Sequence, residues 1–454
     1  MRRFEEQMID LSPGQMDALE WMSTHRHGLL PLHVGFGKTR IGLAKIMEIG
    51  LPTLVVSTKH IIEKTWPDEI KKIGLSLSYA ACCGPKRKRD KAIDADPDVL
   101  GVSFENLVWY YQSDAKPRRV LIIDESSKLK APGAQRSRTQ VRHAGEYDYA
   151  YALSATPAPE GAMGLWSQFA CLTRDRPLGL LTEFRARYFD QAFAHTGQTH
   201  IVYTIKDDGL QGIAEAVKDY FYSMPKEFDA EVGLPDPYEF GIEVPWSTET
   251  GLKQYQDMSR NFCIESNEDY EVAHDVSAGS PGVLQNKLRQ MASGFLYTDD
   301  RTVVELEGYD DKIAELGYFL DRIDDQPLLV FTQFQEEARQ IAEAYPAFQI
   351  GLPDSLDDWN QGRVPGMVLH PGSAGHGLNL QEGSHHILFY SLPWSSEAYD
   401  QAIGRLNRRG QPRRVMVAHL AREGTIEARM FGSLLTKREK QKETINVLGE
   451  AAKL

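Results

Sequence analysis

At 454 residues the chain exceeds what one ordinary hydrophobic core organises, so two or three domains are expected. Its 42% apolar and 25% charged residues exclude a disordered or fibrous chain, and no apolar stretch approaches the ~20 residues of a membrane span. A net charge of −13 argues against a passive basic coat for nucleic acid, although a local basic groove can sit within an acidic exterior.

In chain order, the amino terminus turns acidic at Glu5-Glu6 before an apolar signal region can begin, so no secretory signal is expected. Gly35-Phe36-Gly37-Lys38-Thr39 then follows an apolar run and opens a helix-like stretch, Arg40–Ile49. Short apolar runs succeed it at Thr53–Ser57, Val99–Ser103, Val120–Asp124 and Tyr151–Ser154. None alternates with polar residues, which predicts parallel strands buried on both faces. The densest positive cluster, Lys86-Arg87-Lys88-Arg89-Asp90-Lys91, falls among them and has the composition of a solvated face. Residues from about 170 to 310 differ, being rich in aromatic and charged residues and punctuated by Pro225, Pro235, Pro237 and Pro245. Helical periods at Leu210–Tyr222 and Val283–Phe295 predict a helical insertion there. A second set of strand-like runs follows at Leu328–Phe331, Gly366–Leu369, His386–Phe389 and Val415–Ala418. The expected fold class is α/β: two RecA-like parallel-sheet lobes, 1–170 and 311–454, with a helical insertion, protrusions and linker at 171–310. Helices in Thr425–Leu454 are expected to brace the second lobe. Cys82, Cys83, Cys171 and Cys263 have no zinc-type spacing and are expected to be reduced thiols of a cytoplasmic protein.

Three constellations carry chemistry. A glycine-rich turn into a helix aims backbone N–H groups and the helix dipole at phosphates, which makes Gly35–Thr39 a candidate ATP site. There Lys38 would meet the β- and γ-phosphates and the Thr39 hydroxyl would bind Mg²⁺. Asp124-Glu125 ends a predicted strand, where ligands of open α/β sheets bind. Asp124 could hold Mg²⁺ and Glu125 could deprotonate the attacking water. Far away, Gln401, Arg405 and Arg408 fall at i, i+4 and i+7, one face of a predicted helix, where an arginine could neutralise charge on the transferred phosphoryl group.

With these pieces in order, the chain resembles the Swi/Snf-like ATPases of helicase superfamily 2, particularly compact phage-type members, over nearly its whole length. Leu11–Gln15 is similar to the family's adenine-reading segment, with Gln15 in the contacting position. Leu54–Ser57 through Trp66, Val102–Leu107, Asp124–Ser127 and Ser154–Pro157 resemble the motifs that follow. Val330–Phe334, Ser373–Leu380, and Trp394 with Gln401–Gln411 resemble those of the second lobe. The resemblance implies ATP and Mg²⁺ as cofactors, with Gly377 and Gln401 joining Gln15, Gly35, Gly37, Lys38 and Thr39 around the nucleotide. It implies DNA contacts from Lys59, Ser103, Asn106, Gln333, Ser373, Asn379 and Trp394. The sequence departs from the family at Leu32-His33, at Ser127, where the acidic box usually carries histidine, and at Pro371, where a hydroxyl residue often stands.

The expected activity is DNA-stimulated ATP hydrolysis driving movement on double-stranded DNA in the host cytoplasm, with room for a protein partner that sets the target. Two rivals are a strand-separating DNA or RNA helicase and a nucleotide-dependent scaffold without turnover. Duplex versus single-strand stimulation separates the first, and absence of any turnover identifies the second.

Overall fold

The computed structural model describes residues 9–159, 161–193, 201–228, 235–264, 276–298, 300–351, 356–372 and 379–453. They form two compact units, residues 1–233 with 437–454, and residues 234–436.

The first unit is built on a six-stranded parallel sheet of β1 (His27–Pro31), β2 (Thr53–Ser57), β3 (Tyr79–Cys82), β4 (Val99–Ser103), β5 (Val120–Asp124) and β6 (Tyr149–Ser154). Their order is β1-β6-β5-β2-β4-β3. Every residue of β2, β4 and β5 is buried, as continuous apolar runs require when both faces are covered. Alternation within a strand divides the core. Leu54, Val56, Leu121 and Ile123 belong to one cluster, and Val55 and Ile122 to the other. Each large side chain so buried contributes about 1.5–3 kcal/mol. A hairpin of β7 (Phe189–Phe193) and β8 (Ile201–Ile205) follows.

The second unit starts with β9 (Tyr238–Val244) and carries two short pairs, β10 (Cys263–Ile264) with β11 (Val276–Ser277) and β12 (Phe295–Tyr297) with β13 (Val303–Glu305). Its main sheet adds β14 (Leu328–Phe331), β15 (Gln349–Ile350), β16 (Gly366–Leu369), β17 (His386–Phe389) and β18 (Met416–Arg422), in the order β15-β16-β14-β17-β18-β9. All its pairings are parallel. The two expected parallel-sheet lobes are therefore present.

The internal boundaries fall elsewhere than expected. The segment 171–310 is not a separate insertion. Phe184, Tyr188, Ile213 and Val217 join the first unit's core, whereas Tyr255, Met258, Leu284 and Leu288 join the second's. The cause in the second case is β9, which pairs with β18 along seven residues from Tyr238–Met416 to Val244–Arg422 and draws its neighbours into that unit. The helix Ile426–Ala451 does not serve the second lobe alone. Ile426, Met430 and Leu434 lie in the second unit's core, but Leu448 and Ala451 lie in the first's. Among the described residues no helix is long and apolar enough to cross a membrane.

Candidate active site

The loop after β1 is shaped by glycine. Gly35 and Gly37 have φ of 81° and 84°, the left-handed region that an L side chain enters at a cost. Gly37 leads directly into the helix Lys38–Ile49, which ends on Gly50, also left-handed. Space demands glycine as well, because a Cβ at Gly37 would lie 2.4 Å from Gln15 Nε2. Gln15 is fixed from both ends: its Nε2 donates to the Phe36 carbonyl at 2.7 Å, and its Oε1 accepts from Ser12 N at 3.0 Å. Gln15 and the Gly35–Thr39 loop are thus one hydrogen-bonded piece. Leu32 needs no glycine, since its side chain is fully buried in the core and its backbone φ is ordinary.

Asp124 closes β5 and is buried. Trp66 Nε1 donates to its Oδ2 at 3.2 Å. Burial raises the Asp124 pKa to about 6, aided by the Glu125 charge and opposed by Lys38 and the Trp66 hydrogen bond. Glu125 stands in the left-handed region at φ 68°, unusual for glutamate, while its N–H donates to Leu153 O at 2.9 Å. The box is tied further along by Ser126, whose hydroxyl donates to Gln168 Oε1 at 2.7 Å. Gln168 Nε2 in turn donates to the Pro157 carbonyl. Gly37, Lys38, Thr39, Asp124 and Glu125 therefore gather where β1 and β5 end.

A buried carboxylate whose hydrogen-bond donors are neutral groups suits a hard divalent cation. Among the described residues no group of three or more His, Cys, Asp or Glu could hold a metal by itself. A cation at Thr39 and Asp124 would draw its other ligands from phosphate oxygens and water.

The other candidates of the first unit sit beyond β2 and β4. Lys59 is exposed, 4.0 Å from Glu63. Ser103 is buried, and its hydroxyl accepts from Asn106 Nδ2 at 2.9 Å. Asn106 Oδ1 accepts from Arg89 at 2.8 Å, and the same guanidinium lies over the Trp109 ring at 4.1 Å. The basic run is thus not wholly a solvated face: Arg89 is half-buried and shapes the Ser103–Asn106 pair.

In the second unit the expected single helix face does not form. The helix is Ser396–Ile403; Gly404 caps it, and the chain tightens into turns with Arg405 N donating to Ala402 O and Arg408 N to Leu406 O. Gln401 lies on the helix and bonds Glu397 at 3.3 Å, whereas Arg405 and Arg408 lie beyond it. Glycine at 404 and Gly410-Gln411-Pro412 explain the early stop, since glycine and proline are the weakest helix formers. Arg405 is buried, and burial lowers the Arg408 pKa below its ordinary value. Gln333, Asn379 and Trp394 all follow strands or loops of this sheet; Asn379 and Trp394 are exposed. Ser373 and Gly377 lie outside the described residues.

Residues 311–410, which span this strand-and-turn array, match the helicase conserved C-terminal domain family. Those residues thus carry a helicase conserved C-terminal domain. The chain is similar to protein p41 of Acyrthosiphon pisum secondary endosymbiont phage 1, with 28% identity over 87% of this chain and 89% of that one. It is also similar to the DNA annealing helicase and endonuclease ZRANB3 of Bos taurus, with 23% identity over 96% of this chain but only 40% of the relative. Among solved structures, the Sulfolobus solfataricus SWI2/SNF2 ATPase core in complex with dsDNA aligns at TM-score 0.45 and 20% identity, covering 97% of this chain and 94% of that one.

Several residues that shape the candidate site escaped sequence reasoning. Trp66 was visible as the end of a motif, but its donor role towards Asp124 depends on a neighbour 58 positions away. Gln168 and Arg89 carry no local pattern that marks them. In the second unit, Glu337 is fully buried and accepts from Gln333 N at 2.9 Å, Phe334 N at 3.1 Å and Ser391 Oγ at 2.7 Å. A Glu at the third position of a helix is a readable capping signal, and here it fixes the Gln333 loop.

Proposed function

We propose that this ATPase is a Swi/Snf-like motor that couples ATP hydrolysis to movement along double-stranded DNA. The observation that carries the reading is the Asp124 carboxylate, buried and raised in pKa beside Lys38 at the sheet's carboxyl edge, where a phosphate-bound cation would be held. In the proposed cycle Gln15 contacts adenine, and Gly35, Gly37 and Lys38 cradle the phosphates, with Gly377 and Gln401 completing the nucleotide contacts. Mg²⁺ held through Thr39 and Asp124 neutralises phosphate charge when bound. Glu125 takes a proton from water as its oxygen bonds to the γ-phosphorus and the bond to the β-bridging oxygen breaks, releasing ADP and phosphate. Arg405 and Arg408 are assigned to offset the charge of that transition state.

Each cycle of hydrolysis then shifts the backbone contacts along the DNA. Lys59, Ser103, Asn106, Gln333, Ser373, Asn379 and Trp394 are assigned to the DNA, gripping phosphates without reading sequence. For the buried Ser103 the role is indirect, through Asn106. The family's double-strand habit and the DNA-acting relative favour duplex DNA as the track. The host cytoplasm and a target-setting protein partner complete the proposal.

The test is steady-state ATPase rate with no nucleic acid, single-stranded DNA, double-stranded DNA and RNA, each at two salt concentrations. Strong duplex stimulation that weakens with salt supports the reading, as counterion release requires. Preferential stimulation by single strands or RNA, with strand displacement, replaces it by a helicase. No turnover with any of them leaves a binding scaffold.

A further inference from the structure

One buried cation in the second unit forms no ion pair among the described residues. Arg289, on the helix Pro281–Ala292, is 7% exposed. Its Nη2 donates to the Leu392 carbonyl at 2.7 Å. The guanidinium carbon lies 5.3 Å from the centre of the Phe334 ring and 5.5 Å from that of Trp394. Burial lowers its pKa, opposed by the charges of Glu337 and Glu427. Those two carboxylates are already engaged: Glu337 holds Gln333 N, Phe334 N and the Ser293 and Ser391 hydroxyls, and Glu427 pairs with Lys312 at 2.6 Å.

The consequence is geometric. Phe334 follows β14, and Leu392 and Trp394 follow β17, so two loops from adjacent strands converge on one guanidinium. Trp394 is nonetheless 43% exposed, so one indole both contacts a buried cation and reaches the surface. A flat, fully charged guanidinium can touch two rings and a carbonyl at once, which an ammonium cannot do with the same geometry. Beside Phe334, the Gln333 backbone N–H is held by Glu337 Oε2 at 2.9 Å and by Ser391 Oγ at 3.0 Å, so this loop is fixed from the sheet side.

We infer that Arg289 is a positioning residue that sets Trp394 and the Gln333-Phe334 loop as one preformed surface for a nucleic-acid backbone. The inference rests on the DNA reading proposed above. It adds a residue that touches no DNA itself and a reason for the helix Pro281–Ala292 to pack where it does.

The experiment compares wild type with Arg289→Met and Arg289→Lys, each first brought to equal folded fraction by thermal melting. Acrylamide quenching of the Trp394 emission, isolated by difference against Trp394→Phe in the same background, reads the positioning without any DNA. Duplex titrations then give the DNA activation constant beside the KM for ATP. We expect Arg289→Met to raise quencher access to Trp394 and to weaken the DNA activation constant about ten-fold, the effect of losing a desolvated cation–π contact and its hydrogen bond. The ATP KM should move less than about two-fold, with Arg289→Lys intermediate. Unchanged quenching in Arg289→Met overturns the positioning role whatever DNA does. Altered quenching with an unchanged DNA activation constant overturns the link to nucleic acid. A wild type that binds no DNA in direct anisotropy measurements overturns the DNA reading, while the quenching result still decides the positioning.

Discussion

Replacing Trp66 by phenylalanine should move the acid limb of catalysis by about one pH unit. Trp66 is fully buried and donates to Asp124 Oδ2 at 3.2 Å, a bond that stabilises the ionised carboxylate against burial and the Glu125 charge. A hydrogen bond to a charged group contributes about 1.5–3 kcal/mol, and this long one with a neutral donor belongs at the lower end, which corresponds to ~1 pH unit. The Asp124 pKa, already about 6, therefore rises further in the variant. A cation binds the ionised form, so kcat/KM for ATP should fall with acid sooner in Trp66→Phe than in wild type. The assay is kcat/KM from about pH 5 to about pH 8 at fixed free Mg²⁺, expressed as the ratio of variant to wild type so that the titration of ATP itself cancels. The ratio should be flat at the alkaline end and fall about ten-fold through the acid limb. The smaller ring also leaves a cavity beside Gly42, so both proteins are compared well below their melting midpoints. A ratio independent of pH would refute the argument. Linkage supplies a second sign: a carboxyl raised on folding stabilises the protein most below its ordinary range. That contribution is lost as pH rises through about 6, so the nucleotide-free protein should lose melting temperature across that interval.

Two further outcomes follow from the same structure. Lys38→Ala and Glu125→Gln should each abolish turnover, and Glu125→Gln should keep ATP binding, read by a fluorescent ATP analogue; normal hydrolysis by Glu125→Gln would remove it as the base. In the second unit, Lys312 is fully buried against Glu427 at 2.6 Å, so Lys312→Met should cost about 3–5 kcal/mol by stranding a buried carboxylate. Adding Glu427→Gln should restore much of that in urea melts, and a double variant no more stable than the single would show that the pair is not the cause.

The strands nearest the chemistry were the most legible. The expected runs Thr53–Ser57, Val99–Ser103 and Val120–Asp124 coincide with β2, β4 and β5, because an unbroken apolar run buried on both faces is specified locally. The phosphate loop was legible for a similar reason: Gly37 must be glycine on backbone grounds alone. β9 was not. Its residues alternate between exposed and buried in a proline-punctuated region, and its partner β18 is 178 positions away from Tyr238 at Met416, so only tertiary pairing defines it. The arginine-bearing stretch failed in the opposite way. Spacing of Gln401, Arg405 and Arg408 fits a helix, but Gly404 ends it, and periodicity alone does not register a cap. The candidate site residues were read from pattern, whereas Trp66, Arg89, Gln168 and Arg289 are marked only by contacts between elements.

Ser127 bears on the same division between pattern and contact. Serine stands at the fourth place of Asp124-Glu125-Ser126-Ser127, a box that lies against the segment after β6. The box is joined to that segment one residue earlier. Ser126 donates to Gln168 Oε1, and Gln168 Nε2 donates to the carbonyl of Pro157, directly after Ser154-Ala155-Thr156. Both Ser126 and Gln168 are 1% exposed, so water does not compete for these bonds, and a buried amide that lost either partner would be costly. Glu125 is held to the same strand from the backbone, through Leu153 O. Side-chain and backbone bonds from Glu125 and Ser126 therefore join Asp124–Ser127 to β6 and its exit.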